Sequence, residues 1–332
     1  MSRGRFYVPW LLFLGVVLLL PAVVTHSYNR LILVGAGIYG LIAIGLALLM
    51  GYAGQISLGQ GAFYAVGSYS AAILATRGPL WWPGLGDHWV WLGIPVGVFL
   101  SVLIALVVGF PALRLRSHYL AMATLGIGVI VHQIASATDW LTNGERGIGG
   151  IPRLSILGYT VESELEHYYL VWGTIAAAML LSLHLIHSRV GRALRSVHGD
   201  ELAARSLGVN TSWYKVQVFM VSAAFASVAG SFHSYHESFI GPSTFEVHLS
   251  IILVVMVVVG GMSNVWGAFS GAVFLFILEE VLRKSQEWMP LIYGIILLLI
   301  MMFIPQGLFV GIGQGMGRIV RLIRRTGEEA AG

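Results

Sequence analysis

Apolar residues along the chain come in windows of about twenty separated by short polar stretches, the length at which an α-helix crosses a hydrocarbon core about 30 Å thick. The windows predict ten helices, at Val8–Thr25, Leu31–Met50, Ile56–Thr76, Trp89–Leu113, His118–Ala137, Tyr168–Ile186, Val216–Tyr235, Leu249–Gly261, Val265–Leu282 and Met289–Leu308. The expected fold is therefore all-α, a polytopic membrane bundle of about ten transmembrane helices. Arg3 and Arg5 precede the first window as in a signal peptide, but no small-x-small cleavage site follows, so the window is read as a retained helix.

Two stretches break the regular pattern. In Gly51–Leu74 the small residues Gly51, Gly54, Ser57, Gly59, Gly61, Gly67 and Ser68 recur among Gln55 and Gln60. Small residues let backbones approach where lipid supplies no hydrophobic drive for association. In Gly260–Gly271, the apolar run ahead of Gly260, Gly261 and Asn264 spans only about 20 Å at the helical rise, short of the hydrocarbon thickness. Irregular backbone at membrane depth survives only inside protein or beside water. Gln55, Ser57, Gln60, Ser68, Gly260, Gly261 and Asn264 are thus the candidate lining of a translocation path, and one face of Gly51–Leu74 is expected to be wet. Close helix packing without a path is the alternative reading of both stretches.

Composition agrees with a membrane chain: 57% of the 332 residues are hydrophobic and 10% charged. The absence of cysteine excludes a disulfide framework and any cysteine-based metal or nucleophile site. With both termini on the cytoplasmic side, thirteen of the nineteen basic residues fall inside: Arg3, Arg5, Arg114, Arg116, Arg189, Arg192, Arg195, Arg205, Lys215, Arg318, Arg321, Arg324 and Arg325. The flipped topology fits the basic-inside preference worse. Both breaks then lie at cytoplasmic turns, which hints at a parallel internal repeat, while Asp139–His167 and His236–His248 face outward. Glu145, Glu162, Glu164 and Glu166 with Arg146 and Arg153 make the first of these outer loops the most polar. The chain divides into a first helix in residues 1–30, a core in 31–308 containing a cytoplasmic loop at 189–215, and a basic cytoplasmic tail at 309–332.

That cytoplasmic loop is too charged to enter lipid. Asp200 and Glu201 precede Ala203, Ala204 and Leu207, Gly208 can supply a left-handed stop, and Asn210 a fresh cap, so a surface helix is predicted at about Asp200–Leu207. It reads either as an amphipathic linker resting on anionic lipid or as a docking helix for a partner.

The stretches GYAGQISLGQGAFYAVGSYSAA, LRLRSHYLAMATLGIG, TNGERGIGGIP, GRALRSVHGDELAARSLGVNTSWYKVQVF, VVVGGMSNVWGAFSGAVFLF and PQGL, in this order from about Leu31 to Leu308, resemble the permease subunits of branched-chain amino-acid ABC importers, of the LivM-like kind. The loop is similar to the EAA element of such importers, with Ala203, Ala204 and Gly208 at matching spacing and Glu201 one place early. The resemblance implies a bacterial inner-membrane translocation subunit, not itself an enzyme. It would pair with a second, homologous permease, two ABC ATPase subunits and an extracytoplasmic binding protein. Arg192, Arg195, Glu201, Ala203, Ala204 and Gly208 would couple it to the ATPase.

The residues support one part of this independently. A phosphate-binding loop needs Lys directly after Gly, and the two lysines follow Tyr214 and Arg283, so the chain carries no such nucleotide cradle; no cofactor is expected on it, and ATP is expected on the partner subunits. An ion-gradient-driven secondary transporter is the main rival; Glu279, Glu280, His132 and Gln133 are its candidate ionisable or polar groups. Glu279 and Glu280, followed by Arg283 and Lys284, read better as a helix end at the interface. A metal or haem protein is suggested only by His184-x-x-His187 and His233-x-x-His236-Glu237, both at predicted helix ends near water. The cargo stays open between a branched-chain amino acid, another amino acid and a small amide such as urea. Membrane lipid is an expected contact and nucleic acid is not.

Overall fold

The computed structural model describes residues 4–24, 26–81, 88–112, 117–156, 159–161, 163–283, 289–303 and 307. Arg3, Arg114, Arg116, Glu162, Lys284 and the expected basic tail 309–332 lie outside the described residues. Among them run α1 (Gly4–Val23), α2 (Ser27–Ala47), α3 (Gln60–Trp81), α4 (His88–Ala112), α5 (Ser117–Ala137), α6 (Asp139–Thr142), α7 (Glu164–His187), α8 (Arg189–Gly199), α9 (Glu201–Ser206), α10 (Thr211–Glu237), α11 (Val247–Gly260), α12 (Val265–Leu282) and α13 (Met289–Phe303). Each of the ten expected windows is occupied by one of the longer helices.

Six of these helices are long and apolar enough to cross a membrane by length and composition. The remaining apolar helices are α1, α11 and α13, with shorter apolar runs, and α3, which dilutes its hydropathy with Gly, Ser and Gln. The chain is thus a multi-pass membrane protein. Its centre is α2, 78% buried across its most apolar window and packed on α7, α10, α11 and α12. At its end α2 widens into a π-turn at Leu48–Tyr52, a local register change that often marks functional sites.

Two seams of small residues bring backbones close. A Cβ on Gly67 would sit 2.0 Å from the Ser227 carbonyl oxygen, and one on Gly230 2.0 Å from the Tyr64 carbonyl oxygen, so α3 and α10 touch main chain to main chain. Ser231 Oγ donates to the Gly67 carbonyl at 3.1 Å along this seam. On its inner face α4 buries Gly93, Gly97, Ser101, Ala105 and Gly109, one residue per turn, and Gly97 meets Gly67. This is the small-residue packing that replaces hydrophobic drive in lipid.

The first helix is tied on from outside. Trp10 Nε1 donates to the Ala176 carbonyl at 3.1 Å and Tyr168 hydroxyl to the Val17 carbonyl at 3.1 Å, while Phe13 meets Trp266 and Phe269 edge-on. At one end of the bundle the segments expected as two separate outer loops form one cap. There β1 (Ile148–Gly149) pairs antiparallel with β4 (Phe239–Ile240), and β2 (Ser155–Ile156) with β3 (Tyr159–Thr160). The other end carries α8 and α9.

Candidate functional site

The stretch between α2 and α3 is where the chain departs most from a spanning helix. The expected helix Ile56–Thr76 begins only at Gln60, and residues 54–59 are not helical, because Gly54 adopts φ +66 and turns the chain out of the π-turn. The break is held by specific hydrogen bonds: Gln55 N to the Leu49 carbonyl at 3.1 Å, Leu58 N to Thr124 Oγ1 at 3.0 Å, and Gly61 N to Ser250 Oγ at 3.0 Å. Gln60 Nε2 donates to Ser222 Oγ at 3.0 Å, linking the start of α3 to α10.

The second break lies between α11 and α12. Gly261 takes φ +111, and Asn264 caps α12 by accepting from Trp266 N at 3.0 Å. A Cβ on Gly260 would lie 2.2 Å from the Gly267 carbonyl oxygen, so the two helices leave the break in close contact. Gly307, from the PQGL stretch, packs on Gly261. The two breaks also touch each other, since a Cβ on Gly51 would lie 1.9 Å from the Met262 carbonyl oxygen.

The loop of residues 189–215 closes over this junction, and the structure revises its expected shape. It holds two helices rather than one, and α10 already starts at Thr211, so Lys215 lies on a long helix instead of in the loop. The first helix, α8, carries a clear helical stripe of Val190, Ala193, Leu194 and Val197 at i, i+3, i+4 and i+7, which a window of about twenty apolar residues does not register because Arg189, Arg192 and Arg195 intervene. The second matches the expected Asp200–Leu207 helix. Asp200 Oδ1 accepts from Leu202 N at 2.9 Å and Ala203 N at 3.0 Å, Gly208 sits at φ +82, and Asn210 Oδ1 accepts from Trp213 N at 3.1 Å. Ala204 is buried, whereas Arg192, Arg195, Ala203 and Gly208 are exposed, and α9 displays Leu202 (75% exposed) and Leu207 (85% exposed).

Loop and break meet directly. A Cβ on Gly54 would sit 2.8 Å from His198 Nδ1, and a cavity of about 110 Å³ is lined by Ala53, Gly54, Gln55, Leu120, Val197, His198, Glu201 and Lys215. At the cavity Lys215 Nζ donates to Glu201 Oε2 at 2.7 Å, while from the exposed side Arg205 Nη2 donates to Glu201 Oε1 at 3.2 Å. Burial pushes the Glu201 carboxyl up, but the Lys215 hydrogen bond and charge outweigh it and hold the group below the usual carboxylate range. A lowered folded-state value means the contribution is present above the unfolded value of about 4.3 and lost as pH falls through the folded one. The protection factors of the α9 amides, exchange rates corrected for the intrinsic pH dependence, are therefore expected to fall below about pH 4 relative to pH 7, and Glu201→Gln to flatten that dependence. Protection factors that do not change with pH in the unaltered protein would remove the pair as an anchor of α9.

The expected path residues Gln55, Ser57, Gln60 and Ser68 are all buried within this chain, at 3, 0, 0 and 0% exposure, with the side-chain oxygens of Gln55, Gln60 and Ser68 unpartnered among the described residues. The rival ionisable groups are spread apart. Glu280 accepts from Tyr28 hydroxyl at 2.7 Å and from Arg283 Nη1 at 3.2 Å at the end of α12, the interface pairing expected of it. His184 and His187 reach the carbonyls one turn back, and His236 stacks on His167 with ring centres 5.8 Å apart. His198 and Lys215 are the site residues that the sequence did not single out.

Residues 30–305 match the family described as branched-chain amino acid transport system permease component. The high-affinity branched-chain amino acid transport system permease protein LivM of Salmonella typhimurium is 32% identical over 294 residues, covering 82% of this chain and 67% of that one. The LivM protein of Escherichia coli is 31% identical over the same shares. The corresponding LivH permease of Salmonella typhimurium is 25% identical over 81% of this chain and 90% of its own length. No solved structure matches the chain.

Proposed function

The chain belongs to the family of branched-chain amino acid transport permease components, subunits of ABC importers, and from that premise we propose that it forms half of a translocation pathway for branched-chain amino acids. A second, homologous permease supplies the other half, two separate ABC ATPases bind the ATP, and an extracytoplasmic binding protein delivers the cargo. The subunit sits in the bacterial inner membrane with both termini and the α8–α9 loop in the cytoplasm, as the distribution of basic residues supports.

The observation that carries this reading is the contact of the α8–α9 loop with the first helix break, His198 over Gly54. A pair of helices in which α9 and its C-cap offer Leu202 and Leu207 to a partner while His198 of α8 grips the break can turn a push into a change of path. Arg192, Arg195, Ala203 and Gly208 form the exposed coupling surface in this reading, buried Ala204 and the Lys215-paired Glu201 hold α9 beneath it, and the cap built on β1 and β4 is the face for the binding protein. The test is proteoliposomes holding both permeases, the ATPases and the binding protein, assayed for uptake of labelled leucine, valine and urea. ATP-dependent uptake of leucine and valine is expected. Uptake driven by a proton or sodium gradient without the ATPases would return the secondary transporter, and uptake of urea alone would change the cargo.

The path residues Gln55, Ser57, Gln60, Ser68, Gly260, Gly261 and Asn264 surround the breaks. Because Gln55, Ser57 and Gln60 are buried here, cysteines placed at these positions in this cysteine-free chain are expected to react with a water-soluble thiol reagent only when the complex is held in a nucleotide-bound state. Cysteine at exposed Ser163, the N-cap of α7 and far from α9, is the control. Should all three stay inert in every state while the control reacts, the segment serves packing alone.

A further inference from the structure

The cavity between the first break and α9 contains a mismatch of donors and acceptors. Lys215 carries three N–H donors and is 94% buried, yet among the described residues its one hydrogen-bond partner is Glu201 Oε2 at 2.7 Å. Gln55, 97% buried in the wall of the same cavity, has a side-chain oxygen with no partner among the described residues. Buried acceptors are rarely left unpaired, because the desolvation cost is then uncompensated. The two groups belong to different parts. Lys215 lies in the second turn of α10, whereas Gln55 lies in the non-helical break. Glu201, which holds the lysine now, belongs to α9.

We propose that Lys215 is a two-position latch: it holds Glu201 of α9 in the arrangement described here and transfers to the side-chain oxygen of Gln55 when α9 is displaced, drawing the 54–59 break toward α10. The inference rests on the reading of α9 as the helix that the ATPase contacts. Lys215 is in this sense a positioning residue, one that links α9 to the break without touching cargo. The long, flexible lysine stem suits such an exchange, since its ammonium is a point charge that can re-aim without a fixed fork geometry. Gly54 makes the movement possible on the other side, because a side chain there would meet His198 and the glycine already holds φ +66.

The test uses the complete reconstituted importer and reads cargo molecules imported per ATP hydrolysed. Lys215→Met and Gln55→Leu are each expected to lower that ratio about tenfold, the size of a lost hydrogen bond to a charged group. Lys215→Arg is expected to keep most of it, and the double variant Lys215→Met/Gln55→Leu to be no worse than the more severe single change, since both remove one interaction. Gln55→Glu gives the ammonium a permanent second anion and is also expected to lower the ratio with the complex still assembled; this variant and Gln55→Leu decide the matter if Lys215→Met does not insert. A wild-type ratio in both Gln55 variants, or losses that add in the double variant, overturns the latch. Leu202→Glu/Leu207→Glu tests the α9 contact alone. Uncoupling by that pair beside normal Gln55→Leu and Gln55→Glu rejects the latch and leaves the proposed function standing, whereas normal coupling by the pair rejects the role of α9 itself.

Discussion

Gly208→Pro is expected to abolish uptake and transport-stimulated ATP hydrolysis while leaving the protein in the membrane at near-normal amounts. The reason is conformational. Gly208 adopts φ +82, and the proline ring fixes φ near −65°, so the chain cannot leave α9 as it now does. Proline also removes the N–H that donates to the Arg205 carbonyl at 3.0 Å. Space plays no part, because nothing lies within 4 Å of a Cβ at this position. A graded series follows: Gly208→Asn, tolerant of the left-handed region, should be mild, and Gly208→Ala should cost about 1 kcal/mol locally and lower coupling in proportion. The damage stays local because α9 is short and exposed on the side away from Ala204. Uptake and ATPase stimulation in proteoliposomes, normalised to protein in the membrane, check the series. Full coupling by the proline variant would show that the exit from α9 is irrelevant to the partner.

How much of this arrangement the sequence discloses depends on what sets each feature. The ten longer helices are legible because membrane thickness asks for an apolar run of about twenty residues, and a window of that length averages away local irregularity even where α11 and α13 fall short at 14 and 15 residues. Both breaks are legible for a related reason: Gly54 and Gly261 interrupt runs that would otherwise be continuous, and each glycine does take a positive φ. The surface helix α9 is legible from its caps alone, since Asp200, Gly208 and Asn210 act locally. By contrast, α8 hides from a window tuned to twenty apolar residues because its stripe, although at helical spacing, is short and interleaved with Arg189, Arg192 and Arg195. Lys215 hides because a lysine beside a charged loop reads as solvated. Only the fold carries it back over Gln55, a residue 160 positions earlier in a different helix pair. Contacts between distant segments, such as Gly51 with Met262 or Ile148 with Ile240, have no local signal in a single sequence.

The contact between the two breaks leads to the other large expected effect. Gly51→Ala would place a methyl group 1.9 Å from the Met262 carbonyl oxygen, and both sides of the clash are backbone, which cannot rotate away. Gly67→Ala creates an equally tight clash, 2.0 Å from the Ser227 carbonyl oxygen, but in the middle of the α3–α10 seam. Overpacking of this kind costs about 1–3 kcal/mol when the surroundings must shift. The two variants should nevertheless differ. The α3–α10 seam is continuous helix on both sides, so Gly67→Ala is expected to lower thermal stability and the amount of protein in the membrane, with uptake falling in step. Gly51 lies on a π-turn facing a turn, a place where two irregular segments can separate. Relief there comes from parting the breaks, so Gly51→Ala is expected to lower uptake well beyond any loss of protein and to change how strongly nucleotide affects cysteine labelling at Gln60. Gly173→Ala, with nothing within 4 Å of its Cβ, serves as the neutral control and should if anything stabilise α7 by the helix propensity of alanine, up to about 1 kcal/mol. Thermal unfolding of the detergent-solubilised protein, set beside uptake per molecule in the membrane, separates these outcomes. If Gly51→Ala loses uptake only in proportion to protein, as Gly67→Ala should, then the two breaks are fixed to each other and the path opens elsewhere.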